Sequence, residues 1–206
     1  METDTATHTP APGYWHILTR YPEYRRLYVA RLISMMGDWF SLIALIAMLR
    51  EVTGGSEEIL AWLFIVKMLP PSLVGPMAGV IADRLSRKTI LIWSDMVRFF
   101  LMLWYFAVPM FPEFSTTIVL TLAFLQACGS AFFEPARTAL LPTLLPLSAL
   151  GTANALSAAS WSITYSLGSA LGGLATYQLG WRAVLFIDAL TFLISALWLL
   201  RLKAPH

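Results

Sequence analysis

Ten residues, Gly79-Val-Ile-Ala-Asp83-Arg84-Leu-Ser-Arg87-Lys88, separate two apolar stretches that run over 59–78 and 89–110. An α-helix needs about 20 apolar residues to cross the hydrocarbon core of a bilayer. A charged link this short between two such stretches is the hairpin between two membrane helices. Gly79 is expected to let a helix end sit close to a neighbour. Asp83 is placed to cap a helix start or to pair with a base. Arg84, Arg87 and Lys88 hold the loop on the cytoplasmic side.

The composition agrees with a membrane chain. Of 206 residues 58% are hydrophobic and 13% charged, whereas a soluble domain carries about 25% charge. Six segments satisfy the length and apolarity of a span: 27–49, 59–82, 89–108, 116–139, 153–177 and 183–202. The links between them are short. Residues 50–58 hold Gly54, Gly55 and three acids, 109–115 hold two prolines, and Leu179-Gly180-Trp181 reads as a tight turn. Residues 140–152, with Pro142 and Pro146, are expected to begin as a helix lying on the membrane surface.

Basic residues fix the orientation. With alternating spans, one side collects Arg20, Arg25, Arg26, Arg84, Arg87, Lys88, Arg137, Arg201 and Lys203; the other collects Arg50 and Arg182. Both termini are therefore expected in the cytoplasm, which requires an even number of spans. Residues 1–26 form a polar N-terminal segment without the apolar core of a cleavable leader. Residues 27–202 form the membrane unit, and 203–206 start a cytoplasmic loop. The fold class is all-α integral membrane, in the cell (inner) membrane. Placing Asp95 on Asp188 also pairs Phe99 with Phe192, consistent with a three-plus-three repeat.

Charged residues inside hydrocarbon mark either a pathway or a paired structural site. Here they are Arg31, Asp38, Lys67, Asp95, Arg98, Glu134, Arg137 and Asp188. Asp38, near the middle of the first span, has no base at helical spacing, since Arg31 is seven residues away. Hydrocarbon favours the neutral form of an unpaired carboxylate, as a proton carrier requires. The alternative is a hydrogen bond to a neighbouring helix. Asp95 and Arg98 share a helix face. Asp95 reads as an internal partner for Arg98, and Arg98 is deep enough to meet Asp38 or an anionic substrate group. Glu134 and Arg137 have the same spacing and, with Asp83 and Arg87, make a candidate cytoplasmic gate. Lys67 reads as structural, and Asp188 as a helix-start contact.

Thr164, Gly168 and Gly172 recur every four residues, with Gly173 alongside. Such a stripe of small residues lets another helix pack closely.

The loop that contains Asp83 and Arg84 resembles the signature G-x-x-x-D-R-x-G-R-K of the major facilitator superfamily, with Ser86 in place of its second Gly. Residues 164–173 resemble the drug-exporter antiporter signature G-x-x-x-G-P-x-x-G-G, with Thr164 for the first Gly and Ser169 for the Pro. Five stretches are similar to the subgroup that includes enterobactin and macrolide exporters. They are Ser34-Met-Met-Gly-Asp38, Pro76 to Arg84, Ser94-Asp95-Met-Val-Arg98, Phe132-Phe-Glu-Pro-Ala136 and Phe186 to Phe192. The resemblance implies a proton-driven exporter of small amphipathic molecules that works by alternating access. It also implies twelve spans in two halves, so this chain reads as the N-terminal six-span half of such a fold. A second half, or another copy, is the expected partner, beside a small-molecule substrate and the lipid bilayer. The competing reading is a non-transporting membrane module that binds a partner through the small-residue stripe.

Other classes lack their residues. His8, His16 and His206 all lie outside the spans, and Cys128 is single. There is no HExxH, no P-loop and no paired thiol set. No enzyme activity, cofactor, metal or nucleic-acid partner is expected.

Overall fold

The structure, a computed structural model, describes residues 12–203, and for 80–84 the backbone only. Residues 1–11 of the expected N-terminal segment and 204–206 of the expected loop start lie outside the described residues, as do the side chains of Asp83 and Arg84.

Six α-helices follow one another: α1 (Tyr14–Arg20), α2 (Pro22–Thr53), α3 (Glu57–Arg84), α4 (Arg87–Trp104), α5 (Ser115–Leu144) and α6 (Leu147–Leu200). Two 3-10 turns, Tyr105–Met110 and Pro112–Phe114, connect α4 to α5. Among the described residues, five helical stretches are long and apolar enough to cross a membrane: Pro22–Thr53, Glu57–Gly79, Arg87–Met110, Pro112–Leu144 and Leu147–Leu200.

Local sequence explains the boundaries. Pro22 occupies the first turn of α2, where its missing N–H costs nothing, and Gly54 (φ 70°) ends the helix in the left-handed conformation. Helix α2 thus starts before the expected residue 27. Pro70, Pro71 and Pro76 remain inside a continuous α3, as membrane helices tolerate. The expected surface helix in 140–152 is not found. Helix α5 runs on to Leu144, and α6 begins at Leu147 after the extended Leu145.

Helix α6 counts 54 residues but holds one non-helical residue, Gly180 (φ 78°, ψ 161°). A straight helix of that length would reach about 80 Å, far beyond a core of about 30 Å. The chain reverses at Gly180 instead. Along 147–179, Thr152 reaches Pro12, Tyr28 meets Ser160 at 2.7 Å, and Gly168 lies against Met36 and Trp39. At the turn, Trp181 Nε1 donates to Glu51 at 2.7 Å. Along 181–200 the order inverts: Asp188 lies beside Gly37, and Arg26 donates to the Arg201 carbonyl at 3.1 Å. The two arms of α6 therefore run in opposite directions and hold α2 between them.

Two apolar layers fill the bundle. One gathers Tyr24, Leu27, Leu91, Phe133, Leu140 and Leu199; the other gathers Leu45, Met48, Leu63, Tyr105, Leu185 and Phe192. Between them lies a belt of buried polar side chains: Ser34, Ser94, Asp95, Arg98, Gln126, Asp188 and Ser195.

Candidate functional site

The polar belt is built around Arg98 on α4. Its Nη2 donates to both carboxylate oxygens of Asp38 on α2. Its Nη1 lies 3.7 Å from Asp95 Oδ1, one turn earlier on the same helix. The Phe192 ring of α6 covers the guanidinium, with Cζ 4.0 Å from the centroid, a favourable cation–π geometry. Gly129 on α5 makes room for the stem, since a Cβ there would lie 2.7 Å from Arg98 Cγ. Gln126 Nε2 donates to the Arg98 carbonyl at 2.9 Å. Four helices thus fix one side chain.

This arrangement corrects the expectation for Asp38. It is not unpaired; its base comes from another helix, which spacing along one helix does not reveal. The Asp38 side chain is 34% exposed against 4% for Arg98, so Asp38 forms the accessible end of the pair. Asp95 is fully buried and accepts from Ser195 Oγ at 2.5 Å. Its expected pairing with Arg98 is present but is the longer of the two.

Two further residues join the site that the sequence reading set aside. Asp188 is fully buried. It lies beside Gly37, where a Cβ would collide with Asp188 Oδ1 and Thr191 Oγ1. It is not at a helix start and not paired with Arg182, which lies over the Trp181 ring at 5.0 Å. Lys67 on α3 feels the charges of Asp38 and Asp188 but makes no hydrogen bond or ion pair with a described residue. It sits one turn after the fully buried Leu63, so it shares the inward face of α3. Their signal in the sequence was charge in an apolar run, which those positions share with purely structural ones.

The candidate gate is brought together in part. Glu134 on α5 accepts from Arg31 Nε of α2 at 2.7 Å and from Arg137 Nε at 2.9 Å. Arg87 Nη1 donates to the Ala139 carbonyl at 2.9 Å, and Lys88 Nζ to the Leu200 carbonyl at 2.8 Å. The loop bases therefore fasten the start of α4 to the ends of α5 and α6. Asp83 and Arg84 lie outside the described side chains. Gly79 departs from expectation: a Cβ there would meet nothing within 4 Å. No close approach at position 79 itself therefore demands a glycine.

The small-residue stripe packs within the chain. Thr164 is fully buried. A Cβ at Gly168 would lie 2.9 Å from Trp39 Cβ, and one at Gly172 would overlap the Phe40 backbone. Gly173 is marginal, with Ile43 Cγ2 4.0 Å away. Next to the stripe, Trp161 and Tyr165 stack at 5.6 Å, and Trp39 meets both rings edge-on. Trp62, Trp93 and Trp104 are exposed, as lipid-facing or interfacial tryptophans are. A separate apolar groove of about 490 Å³ lies between α4 and α5, lined among others by Trp93, Val97, Leu125 and Phe132. Among the described residues no His, Cys, Asp and Glu group has the arrangement of a metal site.

Residues 27–206 match the family model of the Major Facilitator Superfamily. Macrolide efflux protein A of Streptococcus pyogenes is 26% identical over 183 residues, covering 89% of this chain and 45% of that protein. The putative bacilysin exporter BacE of Bacillus subtilis is 31% identical over 186 residues, covering 88% of this chain and 44% of that protein. An uncharacterized MFS-type transporter of Mycobacterium bovis is 29% identical over 203 residues, covering 94% and 46%. The chain spans about half the length of the curated relatives it matches. No solved structure matches it significantly.

Proposed function

Because this chain belongs to the major facilitator superfamily, we propose that it is a six-span unit of a secondary transporter that exports small amphipathic molecules against a proton gradient. The transporter-named relatives support transport rather than catalysis. The two arms of α6 count as separate spans in this reading, because their reversal at Gly180 returns the chain to its starting side. Both termini then face the cytoplasm, in line with the distribution of Lys and Arg.

One observation carries the reading: the Asp38–Arg98 pair, buried at Arg98 and accessible at Asp38, between two apolar layers. Removing such a pair from water is costly, and a purely structural pair gains nothing from an accessible carboxylate. A proton or a cationic substrate group that reaches Asp38 competes with Arg98. The released guanidinium then falls to Asp95, and α2 and α4 lose their cross-link. That is a two-state element with different helix contacts in each state, as alternating access requires.

The cytoplasmic closure is assigned to Glu134 with Arg31 and Arg137, and to Arg87 with Asp83. A second six-span unit, on another chain or another copy, completes the cavity. The relatives suggest an antibiotic-like substrate for this chain. The competing module reading loses its support, because α2 already covers the stripe at Thr164, Gly168 and Gly172. Efflux of ethidium from cells producing the chain tests the proposal. Efflux that stops when a protonophore collapses the gradient is expected, and efflux indifferent to the protonophore removes proton coupling.

A further inference from the structure

Asp188 is fully buried in the second arm of α6. Its Oδ1 accepts from Thr191 Oγ1 at 3.1 Å, and its Oδ2 has no hydrogen-bond partner. The sequence of α2 makes the room for it. At any residue but glycine, position 37 would drive a Cβ into Asp188 Oδ1 and Thr191 Oγ1. The carboxyl group therefore rests on the backbone of α2, next to Asp38.

The groups that face it come from every helix around it. Helix α2 brings Asp38, together with the Ser41 hydroxyl, which also donates to the Asp38 carbonyl at 3.3 Å. Helix α3 brings Lys67. Helix α4 brings Arg98, with Asp95 behind it, and the following 3-10 turn brings Tyr105.

These groups are not equally committed. Arg98 gives Nη2 to Asp38, turns Nη1 toward Asp95 and lies against Phe192. Lys67 touches no described partner. The cluster thus sets three carboxylates, Asp38, Asp95 and Asp188, against two bases. With both bases charged, one carboxylate is left uncompensated. A bare carboxylate in a dry interior is far costlier than a neutral acid with one unpaired O–H.

Of the three, Asp38 is held by the guanidinium on both oxygens. Asp95 has the second arm of Arg98 in ion-pair range at 3.7 Å from Oδ1, which has no hydrogen bond, and the Ser195 hydroxyl on Oδ2. Asp188 has hydroxyl contacts only, and one oxygen with none. We propose that the resting cluster stores one proton and that Asp188 is the carboxyl group that holds it. Moving that proton breaks the O–H bond on Asp188 and forms one on Asp38, next to it across Gly37. The cluster's charge is unchanged, and Arg98 is freed. The assignment rests on reading the cluster as the coupling site, but the test below reads the proton directly and involves no flux. A failed assignment and a failed transport reading are therefore separate results.

The test is infrared spectroscopy of the full chain in lipid bilayers at neutral pH. A protonated carboxylic acid gives a carbonyl band that shifts on exchange into D2O. Replacing an aspartate by glutamate keeps the charge balance and moves the band only if that residue holds the proton. Asp188→Glu is expected to shift the band and Asp188→Asn to abolish it, while Asp38→Glu and Asp95→Glu leave it in place. A band that follows Asp38→Glu or Asp95→Glu, or no band in the unsubstituted chain, overturns the assignment. Should a variant fail to fold, solid-state NMR of the unsubstituted chain with carboxyl-labelled aspartate gives the same answer. One protonated aspartate in contact with Thr191 supports the assignment, and one in contact with Arg98 refutes it.

Discussion

Arg98 of α4 donates through Nη2 to both carboxylate oxygens of Asp38 of α2, and this contact joins two helices whose residues are 60 apart in sequence. The two partners have unequal alternatives. Without Asp38, Arg98 still has Asp95 at 3.7 Å. Without Arg98, both carboxylates lose their base. Truncating one member of a buried ion pair costs about 3–5 kcal/mol. Arg98→Ala is therefore expected to destabilise the chain by about that amount, and Asp38→Asn by clearly less. Unfolding of the two variants in detergent, monitored by tryptophan fluorescence, checks the order.

Gly172 and Gly173 are neighbours with opposite surroundings. A Cβ at 172 meets the Phe40 backbone, which cannot rotate away, whereas one at 173 finds Ile43 Cγ2 at 4.0 Å. Gly172→Ala should cost about 1–3 kcal/mol through overpacking, and Gly173→Ala about zero or slightly stabilise by helix propensity. Thermal midpoints of the two variants, compared side by side, settle the matter. Equal midpoints would remove the close approach of α6 to α2.

Gly180 adopts φ 78° and ψ 161°, a region open essentially to glycine alone and costing other residues about 1–3 kcal/mol. Gly180→Ala is expected to lower stability by that order and to loosen the antiparallel return of the second arm. Spin labels at Leu171 and Trp198, exposed side chains on the two arms, report the change as a broadened distance distribution. A distribution that stays narrow argues against strain at the turn.

The fold was readable where the physics is local. Apolar runs of span length and Gly180 at a turn act within a few residues, whereas the start of α2 at Pro22, ahead of the expected residue 27, was missed because the first turns of that helix are polar. The site was readable in membership but not in pairing. Asp38, Arg98, Glu134 and Arg137 were visible as charges in apolar runs, yet the partners of Asp38 and Glu134 come from other helices. Spacing along one helix found the Asp95–Arg98 and Glu134–Arg137 contacts but not the cross-helix partners. Asp188 looked peripheral because it read as a helix-start contact; the reversal at Gly180 carries it to Gly37 instead. Its match to Asp95 in the three-plus-three alignment was the signal available, since both residues are fully buried in the same polar belt. Gly79 shows the reverse case, a glycine credited with a close approach that is not made at its own position.

Glu134 pairs with both Arg31 and Arg137. Glu134→Gln removes both ion pairs at once and leaves the two bases facing each other. The proposed closure should weaken, moving the population toward the inward-open state. Pairs of spin labels across the cytoplasmic ends of α2 and α5, on an otherwise intact assembly, measure that shift. Asp83→Asn is expected to act in the same direction. Unchanged distances in both variants would take the gate role from these residues.

The most direct measurement of the central claim is ethidium efflux from proteoliposomes, with and without an imposed pH gradient, for the unsubstituted chain and for Asp38→Asn at a density that lets copies associate. The Asp38–Arg98 account predicts gradient-stimulated efflux from the first and equal, basal efflux with and without a gradient from the second. Gradient stimulation that survives Asp38→Asn, or none in the unsubstituted chain, would contradict it.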